Sequence, residues 1–295
     1  MLTADTLRKI RRIELRTRKL VNDSFAGAYH AVFKGRGIVF EAVRPYEPGD
    51  DIRDIDWNVT ARAGEPFIKR YAEERELTVM LVLDASASSA FGTVNRQKRD
   101  LAAELGAVLA FTAISNNDKV GLLIFSDQVE LFISPRKGRN HVLRLIRDLL
   151  AAQPIHQGTD ISLALRTINQ LVKRRAIVFL ISDFLAASQE YAPDLQITGR
   201  RHDVIAVVLS DPREQNWANV GLVGLRDAET GNVAWIDTAS PEWRKQFHQQ
   251  ARRFQAIRDQ ALVRAGVDRI DVPVDADYVD ALLRFFRQRA QRIRR

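Results

Sequence analysis

The stretch from Leu77 to Ser89, LTVMLVLDASASS, decides how the rest of the chain is interpreted. Its first half is a nearly continuous run of Leu, Val and Met, which is typical of a strand buried on both faces of a parallel sheet. Asp84 ends this run, and Ser86 and Ser88 follow at alternating positions. Open α/β sheets bind ligands beyond the carboxyl ends of their strands. Because all three side chains offer oxygen, the atom that hard divalent cations prefer, the stretch predicts a metal site at the top of a central strand.

From residue 77 onward, apolar runs of strand length alternate with amphipathic helical patterns. The strands are predicted at 77–83, 119–125, 129–133, 176–181, 203–209 and 268–272. The helices are predicted at 96–115, 139–151, 161–174, 189–196, 241–265 and 276–293. The second and third strands are close enough in sequence to form a hairpin. The pattern therefore predicts an α/β fold with a doubly wound, mostly parallel sheet, helices on both faces and one antiparallel edge.

The first 76 residues lack this alternation. A weakly amphipathic helix is predicted over 5–21, followed by short strands and turns rich in Pro, Gly and charged residues. We therefore divide the chain into a small N-terminal helix and short-strand region, 1–76, and an α/β domain, 77–295. A hairpin insertion is predicted at about 220–238 of that domain.

Composition limits the class of protein. The 295 residues include no Cys, so disulfides, thiolate metal sites and a Cys nucleophile are excluded. No apolar run approaches the roughly 18 residues of a membrane span, and the N-terminus has no apolar signal core. We expect a cytoplasmic protein.

The net charge of +8 is concentrated at the two ends of the chain. Residues 1–20 carry +5 and residues 281–295 carry +6, so the rest of the chain is slightly acidic. One hypothesis is that these Arg-rich ends bind nucleic acid or a membrane surface. The alternative is a solvated helix end, where positive charge is favourable because of the helix dipole.

Two further positions extend the predicted metal site. Asp183 follows the apolar strand 176–181, and Thr159 lies in a Gly-Thr-Asp loop that leads into a helix. Each strand-end carboxylate taken alone is better explained as a helix cap or loop residue than as a metal ligand. Together with Asp84, Ser86 and Ser88 they offer five oxygen ligands, enough for an octahedral Mg²⁺ completed by water or by a partner's carboxylate.

Enzyme motifs are missing from the sequence. It contains no nucleophile elbow, no phosphate-binding glycine loop and no pair of His with metal-ligand spacing. A metal-dependent hydrolase with Asp183 or Asp211 as its base is the remaining catalytic hypothesis. We expect the chain not to be an enzyme.

From Leu77 to its C-terminal helix the chain resembles a von Willebrand factor A-type domain, and the five oxygen ligands resemble that family's metal-ion-dependent adhesion site. The resemblance implies that Ser86 and Ser88 coordinate Mg²⁺, or Mn²⁺, directly, and that Thr159 does so directly or through water. Asp84 and Asp183 would mostly hold water molecules of the ion. The ion would then accept a Glu or Asp from a partner protein. Many relatives have an apolar residue where this chain has Ser89, which is not a ligand position.

A second motif lies in the N-terminal region. It resembles the signature of domain-of-unknown-function family 58, a bacterial group that carries the A-type domain and is often encoded beside a MoxR-type AAA+ ATPase. The signature positions are Arg44, Tyr46, Gly49, Asp50, Arg53, Ile55, Asp56 and Trp57, followed by Ala61 and Arg62. The resemblance implies a protein-interaction module whose partner is such an ATPase or its client, acting in complex assembly or maturation. For the chain as a whole we expect no small-molecule substrate, do not favour nucleic acid as a ligand, and leave membrane contact open without a transmembrane span.

The physical role of this signature has two interpretations. The first is a buried ion network that fastens the N-terminal strands to the α/β domain, with Trp57 as a packing anchor. The second is a binding or catalytic role. The charged members of the proposed network are Arg44, Asp50, Arg53, Asp56 and Arg62.

Overall fold

A computed structural model describes residues 8, 11, 26–33, 39–72, 76–93, 96–152, 156, 158–227 and 231–294. The helix predicted over 5–21 lies outside these residues, except for positions 8 and 11, which are helical. The strands are β1 (Val39–Pro45), β2 (Phe67–Ala72), β3 (Thr78–Asp84), β4 (Lys119–Phe125), β5 (Val129–Arg136), β6 (Ile177–Ser182), β7 (Asp203–Ser210), β8 (Leu222–Arg226), β9 (Val233–Asp237) and β10 (Asp268–Pro273). The helices are α1 (Ala26–Phe33), α2 (Trp57–Ala63), α3 (Lys98–Ser115), α4 (Arg139–Ala151), α5 (Ile161–Leu171), α6 (Ser188–Arg201), α7 (Pro241–Arg264) and α8 (Tyr278–Arg294).

A six-stranded sheet forms the centre of the molecule. Its order is β10-β7-β6-β3-β4-β5, and every pair is parallel except β4 with β5. Numbered within the sheet, this is the doubly wound order 3-2-1-4-5-6. The predicted α/β fold with a mostly parallel sheet and one antiparallel edge is therefore confirmed.

The central strand β3 is buried on both faces, as its composition predicts. Val79, Leu81 and Leu83 contribute to one core, together with side chains of α3, α4 and α8. Met80 and Val82 point to the other face, where α5 and α6 cover the sheet. Since successive strand side chains alternate between faces, a strand covered on both sides needs an unbroken apolar run.

Helix α1 was not predicted, although it is part of the domain core. Tyr29 is fully buried, and its hydroxyl donates to Asp118 Oδ2 at 3.1 Å. The rings of Phe33 and Phe286 lie 5.8 Å apart, edge to face, which joins α1 to α8. The division between 1–76 and 77–295 stays a prediction, and these contacts show that residues from the first part complete the core of the second.

Helix α6 is longer than predicted, because it continues through Gly199 to Arg201. A glycine near the end of a helical pattern usually indicates a helix end. Here it has a packing reason: a Cβ at Gly199 would lie 2.6 Å from the carbonyl oxygen of Ala265. The glycine allows α6 to approach the end of α7.

The predicted hairpin insertion is present as the antiparallel pair β8–β9. Its outward face exposes Leu222, Val233 and Trp235. In the part of the chain that is described, no helix combines the length and the apolar character needed to cross a membrane.

Candidate metal centre

The carboxyl end of β3 brings three of the predicted ligands together. Asp84 is buried, and its Oδ1 accepts a hydrogen bond from the backbone N–H of Ser86 at 2.9 Å. The hydroxyl oxygens of Ser86 and Ser88 lie 3.0 Å apart. Ser89 donates its hydroxyl to the carbonyl of Ser86 at 2.7 Å, which closes the turn. The departure at Ser89 therefore has a local structural role and leaves both serine hydroxyls grouped with Asp84.

The neighbouring strand β6 supplies a residue that the sequence analysis missed. Ser182, its last residue, donates its hydroxyl to Asp84 Oδ2 at 2.6 Å. The hydroxyl oxygen of Ser182 in turn accepts from the N–H of Phe184, a buried residue with a positive φ of 54°. A non-glycine residue in this region is uncommon and often marks a functional turn. The Ser-Asp ending of β6 was the available signal, but only the structure shows that Ser182 contacts Asp84.

Asp183, the fourth predicted ligand, is held by two donors. Its Oδ1 accepts from the N–H of Leu185 at 3.1 Å, and its Oδ2 lies 2.6 Å from Lys98 Nζ. The Lys98 ammonium also contacts Glu214 Oε1 at 2.5 Å. Its side chain is only 1% exposed, so a full positive charge is buried at the edge of the predicted site. No motif in the sequence singled out Lys98.

Thr159, the fifth predicted ligand, lies on the other side of β3. The N–H of Asp160 donates to the carbonyl of Ser126 at 2.9 Å, just beyond the end of β4. Asp160 also caps α5 by accepting from the N–H of Leu163. Because β3 lies between β6 and β4, the five predicted residues occupy one edge of the sheet. Thr159 is half-buried there.

The charges at this edge influence one another. Burial raises the pKa of Asp84 to about 6, and the negative charge of Asp183 acts in the same direction. Burial by itself lowers the pKa of Lys98, but Asp183 and Glu214 more than compensate, so it is raised above the usual lysine range. The pKa of Glu214 is raised by burial, partly offset by Lys98.

Asp211, proposed as a hydrolytic base, is occupied by other donors. Thr93 donates its N–H at 2.7 Å and its hydroxyl at 2.6 Å, and the N–H of Arg213 donates as well. Burial raises the pKa of Asp211, but these hydrogen bonds lower it by more, so the net shift of the pKa is downward. A carboxylate held in this way is a poor proton acceptor. Asp183 is similarly engaged by Lys98 and the Leu185 N–H.

The residues fit a hard divalent cation in both chemistry and charge. Hydroxyl and carboxylate oxygens converge at the end of β3, where Asp84 is buried, and Asp183 and Glu214 hold the buried ammonium of Lys98 between them. The surplus of negative charge favours an added cation. Among the described residues, no three His, Cys, Asp or Glu side chains form a metal-binding group, so an ion here would depend on the hydroxyls.

A cleft opens beside Asp183, between the ends of β6 and β7 and helix α7. It has a volume of about 400 Å³, and it is lined by Leu185, Phe247 and Phe254 together with Glu214. Leu185 is 45% exposed. The predicted site therefore has an accessible apolar surface next to it.

The N-terminal signature is organised differently from our expectation. Arg44 contacts Asp50 at 2.7 Å, but both side chains are partly exposed. Arg53 and Arg62 are exposed, and Trp57 is 66% exposed. The expectation of a buried ion network with Trp57 as its anchor is therefore wrong.

The unit that carries the signature is too small to bury an ion network. Strands β1 and β2 form a two-stranded antiparallel pair, and only the short helix α2 and a 3-10 turn at Ile52–Asp54 lie between them. Such a unit has too little apolar surface to bury a charged network. Its polar residues instead shape turns: Gly49 has a positive φ of 113°, and Tyr46 donates its N–H to Pro66.

Asp56 caps the short helix of this unit. Its Oδ1 accepts from the N–H groups of Asn58 and Val59 at 3.0 and 3.3 Å. This accounts for an acidic residue directly before Trp57, the first residue of α2.

Part of the Arg-rich C-terminus forms ion pairs within the domain. Arg289 contacts Asp203 and Asp268, at the start of β7 and β10, and it also covers the ring of Phe33 at 5.1 Å. Arg292 contacts Asp268 at 2.9 Å. These two arginines therefore have structural partners at the end of the sheet opposite the candidate metal centre.

The chain is similar to other proteins in sequence and in structure. An uncharacterized protein of Mycobacterium tuberculosis is 30% identical over 282 residues, which cover 95% of this chain and 88% of that protein. Among solved structures, an aerotolerance-related membrane protein from Bacteroides fragilis matches with a TM-score of 0.49 and 18% identity, over 73% of this chain and 99% of that one. The VWA domain of SpRpn10 matches with a TM-score of 0.43 and 10% identity, over 71% and 94%.

The strand order described above, rather than these two structural likenesses, establishes the fold. The decisive comparison is with the family described as "Protein of unknown function DUF58", whose model matches residues 42–257, nearly three quarters of the sequence. This match includes both the N-terminal signature and the end of β3. The chain therefore belongs to the DUF58 family and carries a von Willebrand factor A-like fold.

Proposed function

We propose that the chain is a protein-interaction module in which a Mg²⁺ ion, or Mn²⁺, bridges to an acidic side chain of a partner protein. The ion would be held by Ser86, Ser88 and Thr159, with Asp84 and Asp183 orienting its water molecules. The observation that carries the proposal is the grouping of Asp84 with two serine hydroxyls at the carboxyl end of β3.

The charge of this edge supports a divalent cation and an acidic ligand together. An ion with few carboxylates in direct contact keeps most of its positive charge, so it attracts a carboxylate from outside. The cleft beside Asp183 offers Phe247 and Phe254 to the residues that flank that carboxylate. A partner segment with an acidic residue next to an apolar one matches this combination.

The proposed activity is binding without catalysis. Asp183 and Asp211 are engaged by donors, and three histidines contact backbone groups. These are His141 with Val120, His202 with Ala176 and His248 with Gln215. By family resemblance, the partner is a MoxR-type AAA+ ATPase or its client, in complex assembly or maturation.

Calorimetric titration with Mg²⁺ and Mn²⁺ tests the ion. Asp84→Ala and Ser86→Ala should lose binding by at least about tenfold, because each removes an oxygen or its support. Asp271→Ala removes a carboxylate from the exposed edge strand β10 and should bind as the natural chain does. Unchanged binding in Asp84→Ala and Ser86→Ala would show that the site is wrongly assigned.

Partner binding is tested separately, by affinity capture from native lysate with Mg²⁺ and then with EDTA. We expect the natural chain to release an ATPase or its client on addition of EDTA, and Asp84→Ala to capture neither. A partner that stays bound in EDTA would contradict the ion-bridged mechanism.

A further inference from the structure

A buried lysine contacts Asp183, one of the proposed metal-site residues. Lys98 begins helix α3, and its ammonium lies 2.6 Å from Asp183 Oδ2 and 2.5 Å from Glu214 Oε1. Lysine is almost never fully buried unless it is paired. The pair that it makes here includes a predicted ligand of the ion.

The surroundings hold this ammonium in place. The backbone N–H of Lys98 donates to the carbonyl of Phe91 at 3.1 Å, and its Nζ lies 5.8 Å from the centre of the Phe91 ring. Glu214 is fixed as well, because its Oε2 accepts from the N–H of Asp211 at 2.9 Å. The ammonium is therefore held by carboxylates that follow β6 and β7, and it cannot move away without breaking a buried ion pair.

An added ion would share its counter-charge with this ammonium. Both oxygens of Asp183 already accept hydrogen bonds, one from Lys98 and one from Leu185. Two cations that use the same carboxylate in a poorly solvated site repel each other strongly. This repulsion makes the binding free energy of the ion less favourable.

We propose that Lys98 is a built-in competing cation, which lowers the affinity of the site for a divalent ion and maintains its charge balance when the ion is absent. This inference rests on the proposed metal site and adds a residue that sets how tightly the ion binds. Lys98 acts through Asp183 and Glu214, so it is a positioning residue and not a ligand.

The test is calorimetric titration of the full-length chain with Mg²⁺ and Mn²⁺. Lys98→Met keeps the length of the side chain and removes its charge, and Lys98→Gln keeps a hydrogen-bond donor. We expect both variants to bind the ion at least about tenfold more tightly than the natural chain. Lys119→Met is the matched control, because Lys119 lies at the start of β4, pairs with the exposed Glu76 and should leave the affinity unchanged.

A second readout separates this role from a purely structural one. Without the ion, Lys98→Met leaves Asp183 and Glu214 unpaired, so its melting temperature in EDTA should fall below that of the natural chain. Saturating Mg²⁺ should raise the melting temperature of Lys98→Met more than that of the natural chain. If the variant folds only with the ion, the Mg²⁺ dependence of its circular dichroism gives the affinity.

The outcomes distinguish this inference from the proposed function. Equal or weaker binding in both Lys98 variants, with binding lost in Asp84→Ala, would overturn the role of Lys98 and leave the metal site standing. Binding by the Lys98 variants alone would support the role of Lys98 and overturn the ion-dependent function of the natural chain. No binding by any chain would overturn both the proposed metal site and the role of Lys98. No folding of either variant at any ion concentration would overturn the role of Lys98 alone.

Discussion

Two buried tyrosines differ in whether their hydroxyls have a partner. Tyr29 donates to Asp118, whereas the hydroxyl of Tyr191 has no hydrogen-bond partner among the described residues. Tyr29→Phe should therefore destabilise the fold by about 2 kcal/mol, because a hydrogen bond to a buried charged group is lost. Tyr191→Phe should stabilise it by up to about 1 kcal/mol, because a buried polar group without a partner is removed. Urea unfolding measures both changes, and equal effects of the two substitutions would contradict this assignment.

Tyr191 also predicts how stability changes at high pH. Burial raises the pKa of Tyr191 to about 12, while in the unfolded chain it is close to 10. The folded state therefore keeps the phenol proton longer, and the resulting stability is complete below about pH 10 and is lost as the pH rises toward 12. Between pH 9 and pH 11, the natural chain should lose about 1 kcal/mol more than Tyr191→Phe. Urea midpoints at these two pH values check the difference, and parallel losses in both chains would rule out the assigned pKa shift.

At the scale of elements, the sequence predicted the strands of the large sheet well. Strand β4 has the predicted bounds, β3 is displaced by one residue, and β7 starts where predicted and ends one residue later. Strands buried on both faces need unbroken apolar runs, and such runs are visible without any knowledge of tertiary contacts. Helix α1 was missed because its burial depends on α8, which lies some 250 residues later in the chain.

In the candidate site, too, the residues that local sequence predicts differ from those that depend on contacts between distant parts of the chain. Asp84, Ser86 and Ser88 are close in sequence and follow a strand, so local spacing predicts that they converge. Lys98 begins a helix, and its two carboxylate partners follow other strands. A lysine in a helical pattern is usually a solvated side chain, and no local signal distinguishes a buried one.

Helix α2 allows a test of the corrected role of the N-terminal signature. Asp56→Ala removes the cap and should raise amide hydrogen exchange in α2 about fivefold, which corresponds to about 1 kcal/mol of helix stability. Trp57→Ala should change exchange less than about twofold, because Trp57 is mostly exposed. A large effect of Trp57→Ala would restore the packing-anchor interpretation.

At the scale of the whole molecule, helix α8 changes how the nucleic-acid or membrane hypothesis must be tested. Removing residues 281–295 would remove charge, but it would also remove the buried Leu282, Phe285 and Phe286. Loss of binding in that deletion would therefore not separate charge from folding. Substitution of the exposed Arg284 and Arg287 by Gln keeps the core and removes charge alone.

The contact between the two ends of the chain gives the final prediction. A chain that begins at residue 77 would lack Tyr29, Val32 and Phe33, so α8 would lose the apolar surface against which it packs. Burial of a large apolar side chain contributes about 1.5–3 kcal/mol, so the shortened chain should lose at least about 3 kcal/mol. It should unfold at lower urea concentration and bind a dye specific for exposed apolar surface. Tyr29→Ala in the full chain should reproduce part of the loss, since it removes one of the three side chains. A shortened chain as stable as the full one would mean that the α/β domain is complete from residue 77, and that α1 packs on a surface that does not need it.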